Sequence, residues 1–333
     1  MKFRDLGNTG LRLSEIGIGT WEMSGDVWGK KDDALSLRAL EAGIEGGANF
    51  IDTGAGYGAG HVEELIGTFL RTTPRKREEI IICTKVKPQS GQFAPPPEKD
   101  IKDFYQPEWI RDQCEASLRR LGTDFVDILF LHTWSRSWGH ETAWHDELSR
   151  LKDEGKVRAF GISIPDEGIT DANVQVAMKL VDTIQCVFSV FQQEPLYSLL
   201  PLAAKNGVGI IARSPFSSGV LVQDWSPDMK FPEGDWRGIW PLNEKPGWLE
   251  DQVNMAERVK PILGETGLTH SQAALGFVLA SPEVSSVLAG SANPDHVAEN
   301  LHASEVTLPA NFVSTIRQLW IDRKVHGTYN GSI

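Results

Sequence analysis

The chain has 333 residues, 41% of them hydrophobic and 23% charged, with a formal net charge of −12. Those proportions are ordinary for a folded domain in water. The acidic balance offers no basic face to neutralise phosphates, which argues against nucleic acid as a partner. No apolar run is long enough to span a bilayer and the first residues lack an apolar signal region, so no membrane association is expected. Cys83, Cys114 and Cys186 have no metal spacing; they are expected as buried reduced thiols of a cytoplasmic protein, with no metal site.

A short hairpin is predicted first, pairing 2–6 with 12–14. Strand-like apolar runs follow at 16–20, 49–52, 80–85, 128–132, 159–163, 183–187, 209–213 and 285–290. Between them lie helical patterns at 32–46, 107–121, 141–154, 194–205, 270–280 and 294–301. Asp32 as a polar cap, Pro107 in a first turn and Gly122 as a stop mark several of the ends. Repeated strand–helix units imply parallel strands joined by right-handed crossovers. Eight of them fit a closed (β/α)₈ TIM barrel, one domain over 1–333, better than an open sheet. Two long segments interrupt the rhythm: 87–106, with Pro95-Pro-Pro97, and 222–248, with Trp225, Trp236, Trp240 and Trp248. Their length suggests functional loops, and the aromatic density of the second argues against disorder.

Four residues lie at, or just past, strand ends: Asp52 and Tyr57 in Asn49-Phe-Ile-Asp-Thr-Gly-Ala-Gly-Tyr-Gly58, Lys85 after Ile80, and His132 after Ile128. Parallel strands of one barrel would bring all four to one mouth, where such barrels carry their chemistry. An unperturbed phenol, with a pKa of about 10, holds its proton too tightly to donate well at neutral pH. A nearby ammonium lowers that value, and Asp52 can hold Lys85 in place. His132 can orient a carbonyl oxygen. Reduction also needs a hydride, which no side chain supplies, so a nicotinamide cofactor is implied. Taken singly, each residue reads more simply as a cap, a solvated charge or a core group; four at successive strand ends read as a site.

Together these segments resemble the aldo-keto reductase superfamily of NAD(P)H-dependent (β/α)₈ barrels. The resemblance rests on Leu6-Gly-Asn-Thr-Gly-Leu-Arg-Leu-Ser14 and Ile18-Gly-Thr-Trp21, on Phe50-Ile-Asp-Thr-Gly-Ala-Gly-Tyr-Gly58 with Val62-Glu-Glu-Leu-Ile-Gly67, on the segment from Leu118 to His132, and on Gly155-Lys-Val-Arg-Ala-Phe-Gly-Ile-Ser163. It implies Tyr57 as the acid/base, Lys85 and Asp52 as its tuning pair, and His132 as the substrate-orienting group. It implies that Ser163 and Gln185 hold the nicotinamide amide, with Arg213, Ser214, Pro215 and Phe216 beside the ring and Thr20, Trp21 and Asp52 nearby. The pyrophosphate falls to the stretch from Ser217 to Leu221, including Ser218 and Gly219, and to the turn at Gly290 and Ser291. Asn293, His296, Glu299 and Asn300 fall to the adenosine end, where a helix start at Pro294 suits an anion. Trp21, Trp28, Tyr57, His132 and Trp134 are expected around the substrate, a small carbonyl or alcohol compound, with a sugar as one candidate.

Two positions depart from the family pattern: Ile164 stands where Asn is usual, and Ala292 where a basic residue is usual. NADPH is the first expectation and NADH the second, with a weaker preference than is common in the family. The alternative is a cofactor-sensing regulatory subunit of the same fold with little turnover. The sequence leaves monomer against homo-oligomer open.

Overall fold

β1 (Phe3–Asp5) and β2 (Arg12–Ser14) pair antiparallel, as the hairpin pattern predicts. The chain then enters a closed parallel barrel, in the order β3 (Ile16–Gly19), β4 (Phe50–Asp52), β5 (Ile81–Val86), β6 (Val126–Leu131), β7 (Val157–Ser163), β8 (Thr183–Val187), β9 (Gly209–Arg213) and β10 (Val284–Gly290), with β10 hydrogen-bonded back to β3. The computed structural model describes residues 1–25, 27–29, 32–166, 168–239 and 246–322. Around the barrel run α1 (Asp33–Glu45), α2 (His61–Thr72), α3 (Pro107–Leu121), α4 (Ala143–Asp153), α5 (Asn173–Ala177), α6 (Leu199–Asn206), α7 (Trp248–Gly264), α8 (His270–Leu279), α9 (Pro294–Leu301) and α10 (Phe312–Ile321). The (β/α)₈ expectation holds.

Local chemistry accounts for the helix ends that the sequence made legible. The Asp32 carboxylate accepts from the N–H groups of Ala34 and Leu35 at the start of α1. Thr269 and Gln272 form a reciprocal capping box at the start of α8. α3 opens on Pro107 and closes on Gly122 in the left-handed conformation. Where such signals are missing, the pattern misled. The predicted helix over 194–205 is two pieces, a 3-10 turn at Glu194–Tyr197 and then α6, because the backbone at Ser198 leaves helical angles. The start of α4 lies at Ala143 rather than 141. α2 and α7 begin after left-handed glycines, Gly60 and Gly247, with no side-chain cap to announce them.

The barrel interior is layered by the two-residue period of its strands. Leu6, Leu11 and Leu13 from the hairpin region close one end against Phe50, Ile81, Cys83, Ile128, Phe130, Ala159, Ile211 and Leu288. Two residues further along the same inward-facing rows come Asp52, Lys85, His132, Arg213 and Gly290. An apolar floor under a polar upper layer therefore follows from strand geometry alone. Cys83, Cys114 and Cys186 are free thiols in the buried interior. Among the described residues no helix is long and apolar enough to cross a membrane.

Candidate active site

The strand rows deliver Asp52, Lys85 and His132 to the mouth, and Tyr57 arrives on the 3-10 turn Tyr57–Gly60 that follows β4. Among the glycines flanking Tyr57, Gly58 is the one the geometry demands: its φ is +58°, and a Cβ would stand 2.8 Å from the carbonyl oxygen of Ser24. At Gly54 a Cβ would make only ordinary contacts.

The Lys85 ammonium is fully buried and donates three hydrogen bonds: to Asp52 Oδ2 at 2.7 Å, to the Thr53 carbonyl at 2.7 Å and to the Tyr57 hydroxyl at 3.1 Å. Asp52 Oδ1 accepts from Gln185 Nε2 at 2.8 Å, and Gln185 Oε1 accepts from Ser163 Oγ at 3.2 Å. A chain of hydrogen bonds thus crosses the barrel from the phenol to Ser163. Lys85 acts on Tyr57 in the expected direction, but burial outweighs it. Burial pushes the Tyr57 phenol up, Lys85 pulls it down, Asp52 adds an upward push, and the balance lies above the usual tyrosine value. At neutral pH the phenol therefore keeps its proton, as a group that donates to a carbonyl oxygen must. Burial also pulls the Lys85 ammonium down, but Asp52, Tyr57 and Cys83 together outweigh it and the net shift is upward. Burial, then the positive charges of Lys85 and Arg213, hold His132 well below the ordinary imidazole value. His132 is therefore neutral near pH 7. Its Nδ1 is buried without a partner among the described residues, and its ring packs edge-on against Phe93 at 4.8 Å and Tyr57 at 5.6 Å.

From this cluster a cavity of about 1170 Å³ runs along the ends of β7 to β10 as far as Asn300. It exceeds the ~300–1,000 Å³ usual for a small-ligand site, so it has room for a dinucleotide and a second molecule. Ser163, Gln185, Arg213, Ser214, Pro215, Phe216, Ser218 and Gly219 line its middle, and Gly290, Ser291, Asn293, His296, Glu299 and Asn300 line its far end. Thr20, Trp21 and Trp28 line the wall above Tyr57. The turn after β9 is strained, with positive φ at Ser214 (59°), Ser217 (48°) and Ser218 (62°), as backbones that clamp ligands often are. Arg213 donates to the Ile164 carbonyl and is paired with Asp166. The donor set and the elongated shape fit a nicotinamide dinucleotide. Among the described residues, no cluster of three metal-ligating side chains occurs.

Two expected residues lie elsewhere. Trp134 is fully buried, its ring edge-on to Trp138 at 5.5 Å and to Trp144 at 5.0 Å, because the chain past His132 turns into the packing beneath the loops. It belongs to the core and not to the substrate wall. The Leu221 side chain is likewise fully buried in the main core and does not line the cavity. Conversely, Phe93 and Arg237 line the cavity unforeseen, whereas Trp236 and Trp248 line it from the Trp-rich segment expected to face the substrate. Phe93 sits in the long loop after β5, and Trp236 in the Trp-rich segment, so loop length and aromatic density were the available signals. Nothing in the sequence singled out Arg237. Trp236 stacks on Trp21 at 5.6 Å and meets Trp28 edge-on at 5.9 Å. The Trp236 amide donates to the Val27 carbonyl at 2.8 Å, which zips the loop after β9 to the loop after β3. Arg237 lies over the rings of Trp28 and Phe231 at 4.8 and 4.9 Å, forks onto Asp235, and donates to the Ser218 carbonyl. Trp240, in the same segment, lies outside the described residues.

The family model for the aldo/keto reductase family matches residues 15–321. The chain belongs to that family. This aldo/keto reductase is 28% identical, over 96% of its length and 98% of the relative's, to the NADH-specific methylglyoxal reductase of Escherichia coli. It is 30% identical to the L-galactose dehydrogenase of Arabidopsis thaliana over 91% of this chain and 88% of that one. In fold it resembles the glycerol dehydrogenase of Gluconobacter oxydans, with a TM-score of 0.77 over 99% of this chain and 98% of the other at 24% identity. As a member of the family the protein is an oxidoreductase, and nicotinamide-dependent carbonyl reduction is its general chemistry.

Proposed function

We propose that this aldo/keto reductase interconverts a polyhydroxylated aldehyde or ketone and its alcohol, with Tyr57 as the proton donor. The observation that carries the reading is the Tyr57 hydroxyl, 3.1 Å from a fully buried ammonium, at the base of a cavity walled by tryptophan. A bound nicotinamide supplies the hydride. Tyr57 gives its proton to the carbonyl oxygen, and Lys85 stabilises the phenolate left behind. Asp52, carrying Lys85 and Gln185 on its two oxygens, fixes the ammonium under the phenol. His132, neutral at every pH near 7, donates a hydrogen bond to the same carbonyl oxygen and polarises it. In the oxidative direction Tyr57 takes the alcohol proton back. Ser163 and Gln185, at the end of the same hydrogen-bond chain, would hold the nicotinamide amide.

The substrate class follows from the wall. Trp21, Trp28 and Trp236 pack within 5.2–5.9 Å of one another beside Tyr57, giving flat faces for the C–H surface of a sugar or polyol. The names of two relatives, a methylglyoxal reductase and an L-galactose dehydrogenase, agree with an oxygen-rich carbonyl. The complete set of Asp52, Tyr57, Lys85 and His132 favours turnover over a cofactor-sensing role. The test is a panel of aldoses, polyols, short oxo-aldehydes and apolar ketones run with both nicotinamide dinucleotides. The highest kcat/KM should fall on a polyhydroxylated compound. Higher values on apolar ketones would overturn the substrate class, and no turnover of any compound would return the chain to the sensing role.

A further inference from the structure

Behind the Tyr57–Lys85 pair, on the helix side of the barrel wall, lies a second buried carboxylate. By the two-residue period of β5, Cys83 and Lys85 face inward and Thr84 between them faces the helix layer. There Thr84 Oγ1 donates to Glu63 Oε1 of α2 at 2.5 Å, and Arg120 Nε of α3 donates to Glu63 Oε2 at 2.6 Å. Glu63 and Thr84 are fully buried, and the partly buried Arg120 also donates to Ser117 Oγ at 3.3 Å. The Arg120 side chain in turn lies against Gly60, where a Cβ would stand 2.8 Å from its Cδ and Nε. Gly60, at a φ of +100°, ends the turn that carries Tyr57 and immediately precedes α2. One carboxylate thus joins the strand of Lys85, the helix leaving the Tyr57 turn, and the end of α3. Ahead of Tyr57, the Ala55 amide donates to the Lys85 carbonyl at 3.2 Å, so the turn is tied to β5 both before and after the phenol.

Resting on the reading of Tyr57 as proton donor, we propose that Glu63 is a positioning residue for that step: through Thr84 and Arg120 it fixes the turn carrying Tyr57 against the strand carrying Lys85, and so sets the 3.1 Å between hydroxyl and ammonium. Glu63 is absent from the cavity lining, so it acts through these neighbours and touches neither reactant. Stability alone does not call for a carboxylate here, because apolar side chains of similar volume often replace a buried ion pair without loss. What apolar packing lacks is direction, which two short charge-assisted or hydroxyl bonds on one carboxylate supply. Direction matters at this place. The pull of Lys85 on the phenol falls with distance, and a misplacement of about 1 Å caused away from the chemistry can cost about 10²-fold in rate.

The experiment compares Glu63→Gln, Arg120→Met, Arg120→Lys and Thr84→Val in the full-length protein, using the best substrate of the carbonyl panel and Tyr57→Phe as the reference. Glu63→Gln and Arg120→Met should lower kcat by about 10- to 100-fold while KM for the carbonyl stays within about threefold. The pH profile of alcohol oxidation should move up by about half a unit to one unit, because the displaced phenol loses part of the downward pull of Lys85. Arg120→Lys, which keeps the charge, should restore part of both. Thr84→Val removes one hydroxyl and no charge; it should shift both readouts in the same sense by less, and it carries the test if loss of the charge pair prevents folding. A merely structural role would lower Tm and leave kcat and the pH profile of the folded variants at the parent's values. That result, with Tyr57→Phe inactive, would overturn the inference and leave Tyr57 as the donor. Near-normal turnover by Tyr57→Phe, or no turnover by the parent, would overturn the inference together with the reading on which it rests.

Discussion

Replacing Lys85 by methionine keeps the length of the side chain and removes its charge, which separates the electrostatic role from packing. The Asp52 carboxylate, 3% exposed, would keep Gln185 as a partner and lose an ammonium 2.7 Å away, and the Thr53 carbonyl would lose its donor. At an effective dielectric of about 20 a charge pair at that distance is worth roughly 6 kcal/mol. Desolvation of the lysine, no longer required, offsets part of this, and a net loss of about 3–5 kcal/mol is expected. Urea unfolding of Lys85→Met, Asp52→Asn and the double variant measures it. The double variant should be more stable than Lys85→Met, since it leaves no unpaired buried charge. Activity should fall by roughly 10²–10⁴-fold, and the residual oxidation of alcohol should move to higher pH. The direction is fixed: Lys85 pulls the Tyr57 phenol down, so its loss sends the value further up, and the phenolate needed as a base appears only at higher pH. The reasoning fails if Lys85→Met unfolds within about 1 kcal/mol of the parent, or if the double variant is no more stable than the single one.

Tyr57→Phe should cut single-turnover hydride transfer by roughly 10²–10⁴-fold while dinucleotide affinity in a fluorescence titration stays nearly unchanged; near-normal turnover would remove Tyr57 as the proton donor. The His132 imidazole should show no NMR titration step near its ordinary value of about 6.5, since burial, Lys85 and Arg213 hold it lower. The unfolded chain then takes up that proton first, so this residue's contribution to stability is complete above about pH 6.5 and is lost as pH falls below it; a step near 6.5 in the folded protein would contradict the assignment. Arg237→Met should leave Asp235, 3% exposed, without its cation and cost about 3 kcal/mol. Hydrogen exchange over 222–239 should rise with it, and exchange equal to the parent's would show that the aromatic segment holds itself in place.

Strand positions and the mouth were legible because both rest on a period of two. Once Phe50, Cys83 and Phe130 are read as barrel filling, Asp52, Lys85 and His132 must face the same way. Helices with polar caps, such as α1 and α8, were legible for a similar local reason. What failed was anything decided by distant parts of the chain. Trp134 follows His132 by two residues and looked like a wall residue, but Trp138 and Trp144 draw it into the core. Arg237 gained its place from Trp28, Phe231 and Asp235 at once, a convergence no local pattern encodes. The downward pull of Lys85 on Tyr57 was legible because the ammonium is a sequence feature, whereas the larger upward push of burial was not.

The groups proposed for proton transfer and for holding the dinucleotide hang from different arcs of the barrel. Asp52, Lys85 and His132 descend from β4 to β6, whereas Ser163, Gln185, Arg213 and Gly290 belong to β7 to β10. Backbone hydrogen bonds join each barrel strand to its two immediate neighbours. The exception is Gln185, whose amide reaches over to Asp52. A substitution there is expected to disturb both arcs together, because that amide is the direct link between them.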